Sequence, residues 1–165
     1  MSDGKPLFHG DHGNVASEGA APGVTTLGAG REAMRLQRDV DGATAMNVVP
    51  RYLVVPAALE TAGEQLLTAI QATAVNAVNP FPGKLELAVD PRLDAKSRGG
   101  WYLAADPAFG TLEYAYLDGQ SGPDVVMAEQ IDTDGLKVRA RLDFGAGVTD
   151  WRGFWRNPGA APTGG

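Results

Sequence analysis

Hydrophobic residues recur at helical spacing early in the chain and at alternating positions later on. The first periodic stretch predicts a helix over Val24–Arg38, with an apolar stripe formed by Leu27, Ala33 and Met34. Thr25 or Thr26 is placed to cap this helix, whereas Gly28 and Gly30 weaken it. Residues 1–23 are glycine-rich, have little periodicity and are expected to form a loop.

A continuous apolar run, Tyr52–Val55, predicts a buried strand within the segment Asn47–Pro56. Because Pro50 cannot donate to a ladder, the start of this strand is expected at a sheet edge. Pro56 stands where a helix would begin. The residues that follow at helical spacing are Leu59, Gly63, Leu66, Leu67 and Ile70. This strand–Pro–helix unit is the clearest local signal in the chain.

Alternation of apolar and polar residues, together with one short apolar run at Trp101–Ala105, predicts short strands from residue 85 onward, separated by turns such as Asp90-Pro91 and Asp106-Pro107. The predicted strands are Leu85–Val89, Trp101–Ala105, Leu112–Leu117, Val125–Ile131 and Leu136–Phe144. In the last strand, one face is expected to carry Leu136, Val138, Ala140, Leu142 and Phe144. Asp134-Gly135 suits a hairpin turn before this strand. Two or three helices with mainly antiparallel strands place the chain in the α+β class.

Composition and charge exclude several classes of function. With 165 residues, the chain is long enough for one domain with a substantial core. A net charge of −6 and a pI of about 4.8 argue against nonspecific nucleic-acid binding. No apolar run approaches the roughly 18–20 residues that span a bilayer, so a membrane is not an expected partner. The absence of cysteine excludes disulfides, thiolate metal sites and a cysteine nucleophile.

Three clusters match binding motifs only in part. His9, Asp11 and His12 could ligate a metal, but no later histidine or cysteine completes the site, and a turn with local backbone bonds is favoured. The stretch 132–135 begins like a calcium loop but is followed by cationic residues, which again favours a turn. Gly145-Ala146-Gly147 lacks the lysine of a phosphate-binding loop. No catalytic constellation or cofactor site is predicted.

An aromatic block near the C-terminus is the strongest candidate for a functional surface. Its members are Trp151, Arg152, Phe154, Trp155 and Arg156. Such a block closes a core, forms a protein interface or stacks on a sugar or base. Core closure and interface burial are favoured over ligand stacking.

The residues around this block closely resemble the C-terminus of Mu-type major head subunits of tailed phages. Further segments resemble the same family in the expected order along the chain. They are Leu7–Asn14 (LFHGDHGN), Arg31–Met34 (REAM), Asn47–Glu60, Asn79–Leu93, Trp101–Ala108, Leu112–Gln120 and Leu142–Gly159. No single segment is a mechanistic motif, but together they are highly specific.

The resemblance implies a Hong Kong 97-type capsid fold and a structural, non-enzymatic role in an icosahedral shell. It further implies a loop and helix of the peripheral lobe at 1–46, an axial lobe at 47–124, return strands of the peripheral lobe at 125–157 and a disordered tail at 158–165. The chain would represent about the C-terminal half of a head subunit, without the N-terminal arm, extended loop and spine helix. The five residues of the aromatic block would contact another lobe or another subunit.

The implied partners are other copies of the same subunit, with contacts to other head proteins also allowed. The implied location is the virion, after assembly in the bacterial host cytoplasm. Two other classes compete with this interpretation. One is a small carbohydrate- or peptide-binding β-module that uses Trp101, Trp151 and Trp155; the other is a metal-dependent enzyme at His9, Asp11 and His12.

Overall fold

A computed structural model describes residues 1, 3–68, 80–117, 119–130, 132 and 135–160. They fall into two compact units: a first unit of Met1–Thr111 with Asp150–Gly165, and a second unit of Leu112–Thr149. The helices are α1 (Val24–Arg35) and α2 (Glu60–Leu67). The strands are β1 (Pro50–Val55), β2 (Glu86–Val89), β3 (Trp101–Ala105), β4 (Leu112–Tyr116), β5 (Asp124–Gln130), β6 (Gly135–Arg141), β7 (Phe144–Val148) and β8 (Phe154–Asn157).

The first unit is built on a four-stranded sheet with the order β2-β1-β3-β8. β1 is parallel to β2, whereas the β1–β3 and β3–β8 pairs are antiparallel. α2 lies in the connection between β1 and β2, and parallel neighbours require such a crossover. The α+β class is confirmed, with two α-helices among the described residues. The sheet is mixed, because this one pair is parallel.

A row of apolar side chains crosses the sheet at the point where α1 packs on it. Leu53, Leu103 and Trp155 are register partners on β1, β3 and β8, and all three are buried. A Cβ atom on Gly30 of α1 would lie 2.7 Å from Cε3 of Trp155 and 2.8 Å from Cδ1 of Leu103. Gly30 is unfavourable for helix formation, yet its lack of a side chain allows α1 to pack closely on the sheet.

The helix α1 is three residues shorter than predicted. Its apolar stripe is confirmed, since Leu27 and Met34 are fully buried. Gly23 is the N-cap residue, and Thr26 caps from inside the helix, because its Oγ1 accepts a hydrogen bond from the Gly23 N–H (2.9 Å). The helix ends at Arg35 because the chain turns back there, with the Asn47 N–H donating to the Arg35 carbonyl (3.2 Å).

The strand–Pro–helix unit is present with one difference from its prediction. β1 is an internal strand, but its first residue, Pro50, pairs only with Ala105 of β3, because the ladder with β2 begins at Tyr52. The start of the strand therefore has one side without a strand neighbour, as proline requires. A short 3₁₀ turn, Ala57–Leu59, separates Pro56 from α2. Gly63 is buried against Leu87 of β2, and a Cβ there would lie 2.7 Å from Cδ1 of that leucine. Ile70 lies outside the described residues.

The second unit consists of two antiparallel ribbons, β4–β7 and β5–β6. The predicted hairpin is confirmed as β5–β6, but its turn at Asp134 lies outside the described residues. The predicted face of the last strand is correct only as far as Ala140, because Phe144 belongs to β7 and pairs with Tyr116. Gly145-Ala146-Gly147 lies within β7 and is strand rather than loop.

The C-terminal residues differ from the expected disordered tail. Gly159 is buried, and its N–H donates to the Asn157 side chain (2.9 Å). A Cβ on Gly159 would meet the carbonyl of Gly99, and a Cβ on Gly19 would meet the carbonyl of Gly159. Three glycines therefore allow three backbone segments to approach closely. Residues 161–165 lie outside the described part of the chain.

The contact at Gly30 predicts opposite effects for two glycine substitutions in α1. Gly30→Ala should lower the free energy of unfolding by about 1–3 kcal/mol, since the new methyl group overpacks the Trp155 ring. Gly28→Ala should raise it by about 0.5–1 kcal/mol, since a Cβ there meets nothing within 4 Å and alanine favours helix. Urea unfolding followed by tryptophan fluorescence measures both. Equal effects at the two positions would contradict the close approach of α1 to the sheet.

Candidate functional site: the C-terminal aromatic segment

The segment Trp151–Asn157 contains the last strand of the sheet, β8 (Phe154–Asn157), whose side chains alternate between the two faces of the sheet. Trp155 and Asn157 are buried on the side of β8 that meets the core. The Trp155 ring lies 5.4 Å from the Trp101 ring, centroid to centroid, with an interplanar angle of 56°. Phe154 and Arg156 alternate with them and are half-buried. The alternation of β8 therefore divides the aromatic block into a core half and a half on the other face.

That other face is covered in part by the N-terminal loop. The Phe8 ring lies 6.3 Å from Phe154 of β8 and 5.4 Å from Tyr102 of β3, centroid to centroid. These are edge-to-face and tilted arrangements, which aromatic pairs favour. The loop thus contributes an apolar side chain to the sheet on the side opposite α1.

Asn14 joins this loop to β8 through backbone contacts. Its carbonyl accepts from the Arg156 N–H (2.8 Å), and the Ala16 N–H donates to the Arg156 carbonyl (2.9 Å). The fully buried Asn14 side chain donates to the Leu7 carbonyl (2.9 Å) and accepts from the His9 N–H (3.2 Å). A single amide therefore holds the loop closed while its backbone lies beside the strand.

Asn157 has the corresponding role at the end of β8. Its buried Oδ1 accepts hydrogen bonds from the N–H groups of Ala20 and Gly159, both at 2.9 Å. The Ala20 carbonyl in turn accepts from Nε1 of Trp101 (2.9 Å). Buried polar groups cost little only when they are paired, so these bonds fix the position of the N-terminal loop on the sheet.

His12 is occupied by local partners rather than open to a metal. Its Nδ1 lies 3.1 Å from the Leu7 carbonyl, and its Nε2 lies 2.8 Å from Oδ2 of Asp3. A carbonyl and a carboxylate both accept, so both contacts are hydrogen bonds when the imidazole carries two protons. The hydrogen bond from His12 lowers the pKa of the Asp3 carboxyl below its ordinary value.

Trp151 and Arg152 lie on the rim of the first unit. The Trp151 indole stacks on the His12 imidazole at 4.3 Å with an interplanar angle of 10°, and Cζ of Arg152 lies 4.6 Å from the centroid of the indole. The Arg152 guanidinium also pairs with Asp150 (3.1 Å) and donates from Nε to the Arg38 carbonyl (2.6 Å). These contacts join the aromatic segment to the end of α1.

The geometry does not offer the exposed tryptophans that a carbohydrate-binding module would need. Trp101 is 0% exposed and Trp155 is 3% exposed. Trp151 is half-buried and stacked on His12. Among the described residues, no group of three histidine, aspartate or glutamate side chains is arranged to hold a metal ion. The predicted turn at Asp132–Gly135 lies partly outside those residues.

Sequence patterns did not predict the contacts that Asn14, Asn157 and Gly30 make. Two are lone polar residues and one is a small residue, so none contributes to a period or a motif. The only signal in the sequence was that the segments Leu7–Asn14 and Leu142–Gly159 resemble the same family. The structure joins these segments through Asn14 and Arg156.

The Asp3–His12 pair predicts a pH-dependent contribution to stability. Because the folded-state pKa of Asp3 is lowered, the unfolded chain binds more protons at acid pH. The contribution is present above the unfolded pKa of about 3.9 and is lost as the pH falls through the lower folded value. Asp3→Asn should therefore flatten the fall in unfolding free energy between about pH 5 and pH 2, measured by urea unfolding. Glu18→Gln, at an exposed carboxylate without a described partner, is the control and should leave the slope unchanged.

Comparison with known proteins identifies the family of the chain. No curated protein matches the sequence of this chain. The solved structure "Satellite phage P4 procapsid including size determination (Sid) protein" aligns with a TM-score of 0.42 and 12% identity, covering 86% of this chain and 39% of that one. No described helix is long and apolar enough to cross a membrane. The profile of the family described as "Phage capsid protein" matches residues 1–157. The chain therefore belongs to the phage capsid protein family, a family of structural proteins rather than enzymes.

Proposed function

We propose that the chain is the C-terminal half of a Mu-type major head subunit, which self-assembles with copies of itself into an icosahedral shell in the host cytoplasm and stays in the virion. The observation that carries this proposal is that the structure joins two of the segments that resemble Mu-type head subunits. The loop Leu7–Asn14 and the strand β8 form one hydrogen-bonded structure through Asn14 and Arg156.

The rim of the aromatic segment is suited to a neighbouring lobe or subunit. A cleft of about 420 Å³ lies beside Trp151 and Arg152 and extends to Leu36 and Arg38 at the end of α1. Leu36 is exposed although it is apolar. Arg156 of β8 is half-buried. An exposed apolar side chain and a partly exposed arginine are the kinds of group that a protein interface covers.

Within this proposal, the tryptophans have separate roles. Trp155 belongs to the core of the chain itself, in contact with β3 and α1. Trp151, Arg152, Phe154 and Arg156 keep partly exposed surface and are the candidates for contact with a neighbour. The assignment of 1–46 and 125–157 to a peripheral lobe and of 47–124 to an axial lobe stays a prediction. The two compact units have different boundaries, and β8 pairs with β3 of the predicted axial segment.

Particle formation tests the proposed function directly. The chain, joined to an upstream segment that supplies a spine helix and arm, should form closed shells visible by negative-stain electron microscopy. Arg156→Gln in the same longer chain should lower the particle yield, because the neighbour loses a charged partner, while the urea midpoint of the isolated 165-residue chain stays nearly unchanged. A longer chain that remains monomeric under all assembly conditions would refute the proposal.

A further inference from the structure

The β5–β6 hairpin has one face made almost entirely of aliphatic side chains. In its register, Val125 lies opposite Ala140, Met127 opposite Val138 and Glu129 opposite Leu136. Residues directly opposite each other in an antiparallel pair point to the same side. We call Val125, Met127, Leu136, Val138 and Ala140 the aliphatic face. All five are exposed, Met127 to 65%, so nothing in the described chain covers them.

The β4–β7 ribbon has a second uncovered face, and its side chains are aromatic. Tyr116 lies opposite Phe144, and Tyr114 lies opposite Ala146 on the same side. The rings of Tyr114, Tyr116 and Phe144 contact one another, with centroids 5.4–6.1 Å apart. We call these three residues and Leu112 the aromatic face. It is also exposed, with Tyr114 at 70%, so the two faces do not cover each other within one chain.

Isolated two-stranded ribbons are marginally stable in water, and large exposed apolar patches mark interaction sites. Each copy of the chain carries one face of each kind, so two copies can cover one aliphatic and one aromatic face together. A second copy of the chain is the occupant that its family favours, because phage capsid proteins assemble with copies of themselves.

We infer that the aliphatic face of β5–β6 packs on the aromatic face of β4–β7 of a second copy of this chain. The inference deepens the proposed self-assembly and rests on it, because it names the surfaces through which copies meet. The contact is heterologous: each copy uses its aliphatic face toward one neighbour and its aromatic face toward the next. Contacts of this type close into rings or extend into larger arrays, as a shell requires.

Single charged substitutions test the contact in the 165-residue chain by sedimentation velocity over micromolar to submillimolar concentrations. Val138→Glu places a carboxylate in the aliphatic face and should weaken self-association at least about tenfold. Tyr114→Glu should do the same from the aromatic face. The matched controls are Val126→Glu, on the reverse side of the hairpin opposite Arg139, and Ala115→Glu, on the reverse side of β4. Both controls should associate within about twofold of the wild type.

A mixture of the two disrupted variants gives the most specific result. Val138→Glu retains an intact aromatic face and Tyr114→Glu retains an intact aliphatic face. At concentrations where each variant alone is monomeric, the mixture should therefore form a one-to-one dimer and nothing larger. Failure of the mixture to dimerise, or equal disruption by Val126→Glu, would overturn the inference. So would a wild-type chain that stays monomeric at the highest concentration.

Two further readouts keep an unfolded variant from being mistaken for a broken contact. All three tryptophans lie in the first unit, so tryptophan fluorescence shows whether that unit is folded in every variant, and dimerisation of the mixture shows that the ribbons of the second unit are folded in both disrupted variants. Because the chain has no cysteine, Val138→Cys can carry a single environment-sensitive fluorophore. Its emission should shift to the blue as the chain concentration rises, whereas the same fluorophore on Val126→Cys should not shift. A shift that requires added duplex DNA would assign the hairpin to nucleic acid. A shift at position 126 alone would place the contact on the reverse side of the hairpin. Either result would reject the proposed contact.

The longer, particle-forming chain separates this inference from the proposed function. If Val138→Glu assembles there as well as the wild type, the contact is rejected and the proposed function stands. If the wild type of that longer chain forms no particles, the proposed function fails, and sedimentation of the 165-residue chain still decides whether the contact exists.

Discussion

The close packing of Trp155 on Gly30 is the contact on which the first unit depends. It allows α1 to approach the sheet near enough to bury Leu53, Leu103 and the indole in one row. Because protein interiors are packed as densely as organic crystals, even one extra methyl group at this point must displace a ring or the helix. The helix, the last strand and the two central strands are therefore positioned together.

Two buried asparagines extend this arrangement to the irregular parts of the chain. Asn14 and Asn157 each supply hydrogen-bond partners to backbone groups that no helix or strand satisfies. A side-chain amide suits this task because it donates and accepts at once. The loop before α1 is consequently ordered without secondary structure of its own beyond one 3₁₀ turn, Gly10–His12.

The sequence was informative where a residue's role depends on its neighbours along the chain. The apolar runs Tyr52–Val55 and Trp101–Ala105 identified the two central strands, because a short continuous apolar run between turn residues is typical of a strand buried on both faces. Strand order has no such local signature, so the sequence did not show that these two strands are neighbours in the centre of the sheet. The contacts of Asn157 reach a residue 137 positions away and leave no trace in spacing. Alternation in β5 and β6 predicted strands correctly, but whether an apolar face is covered depends on what lies beside it.

The pairing of Asn157 with Ala20, 137 positions earlier, has a consequence for synthesis. During translation the N-terminal loop leaves the ribosome long before β8 exists, so its backbone partners at Arg156 and Asn157 are missing for most of that time. The apolar row on β1 and β3 stays without its third member, Trp155, over the same interval. Contacts of such long sequence separation form late and leave intermediates that aggregate readily. The nascent chain should therefore depend on holding chaperones until residue 157 has emerged.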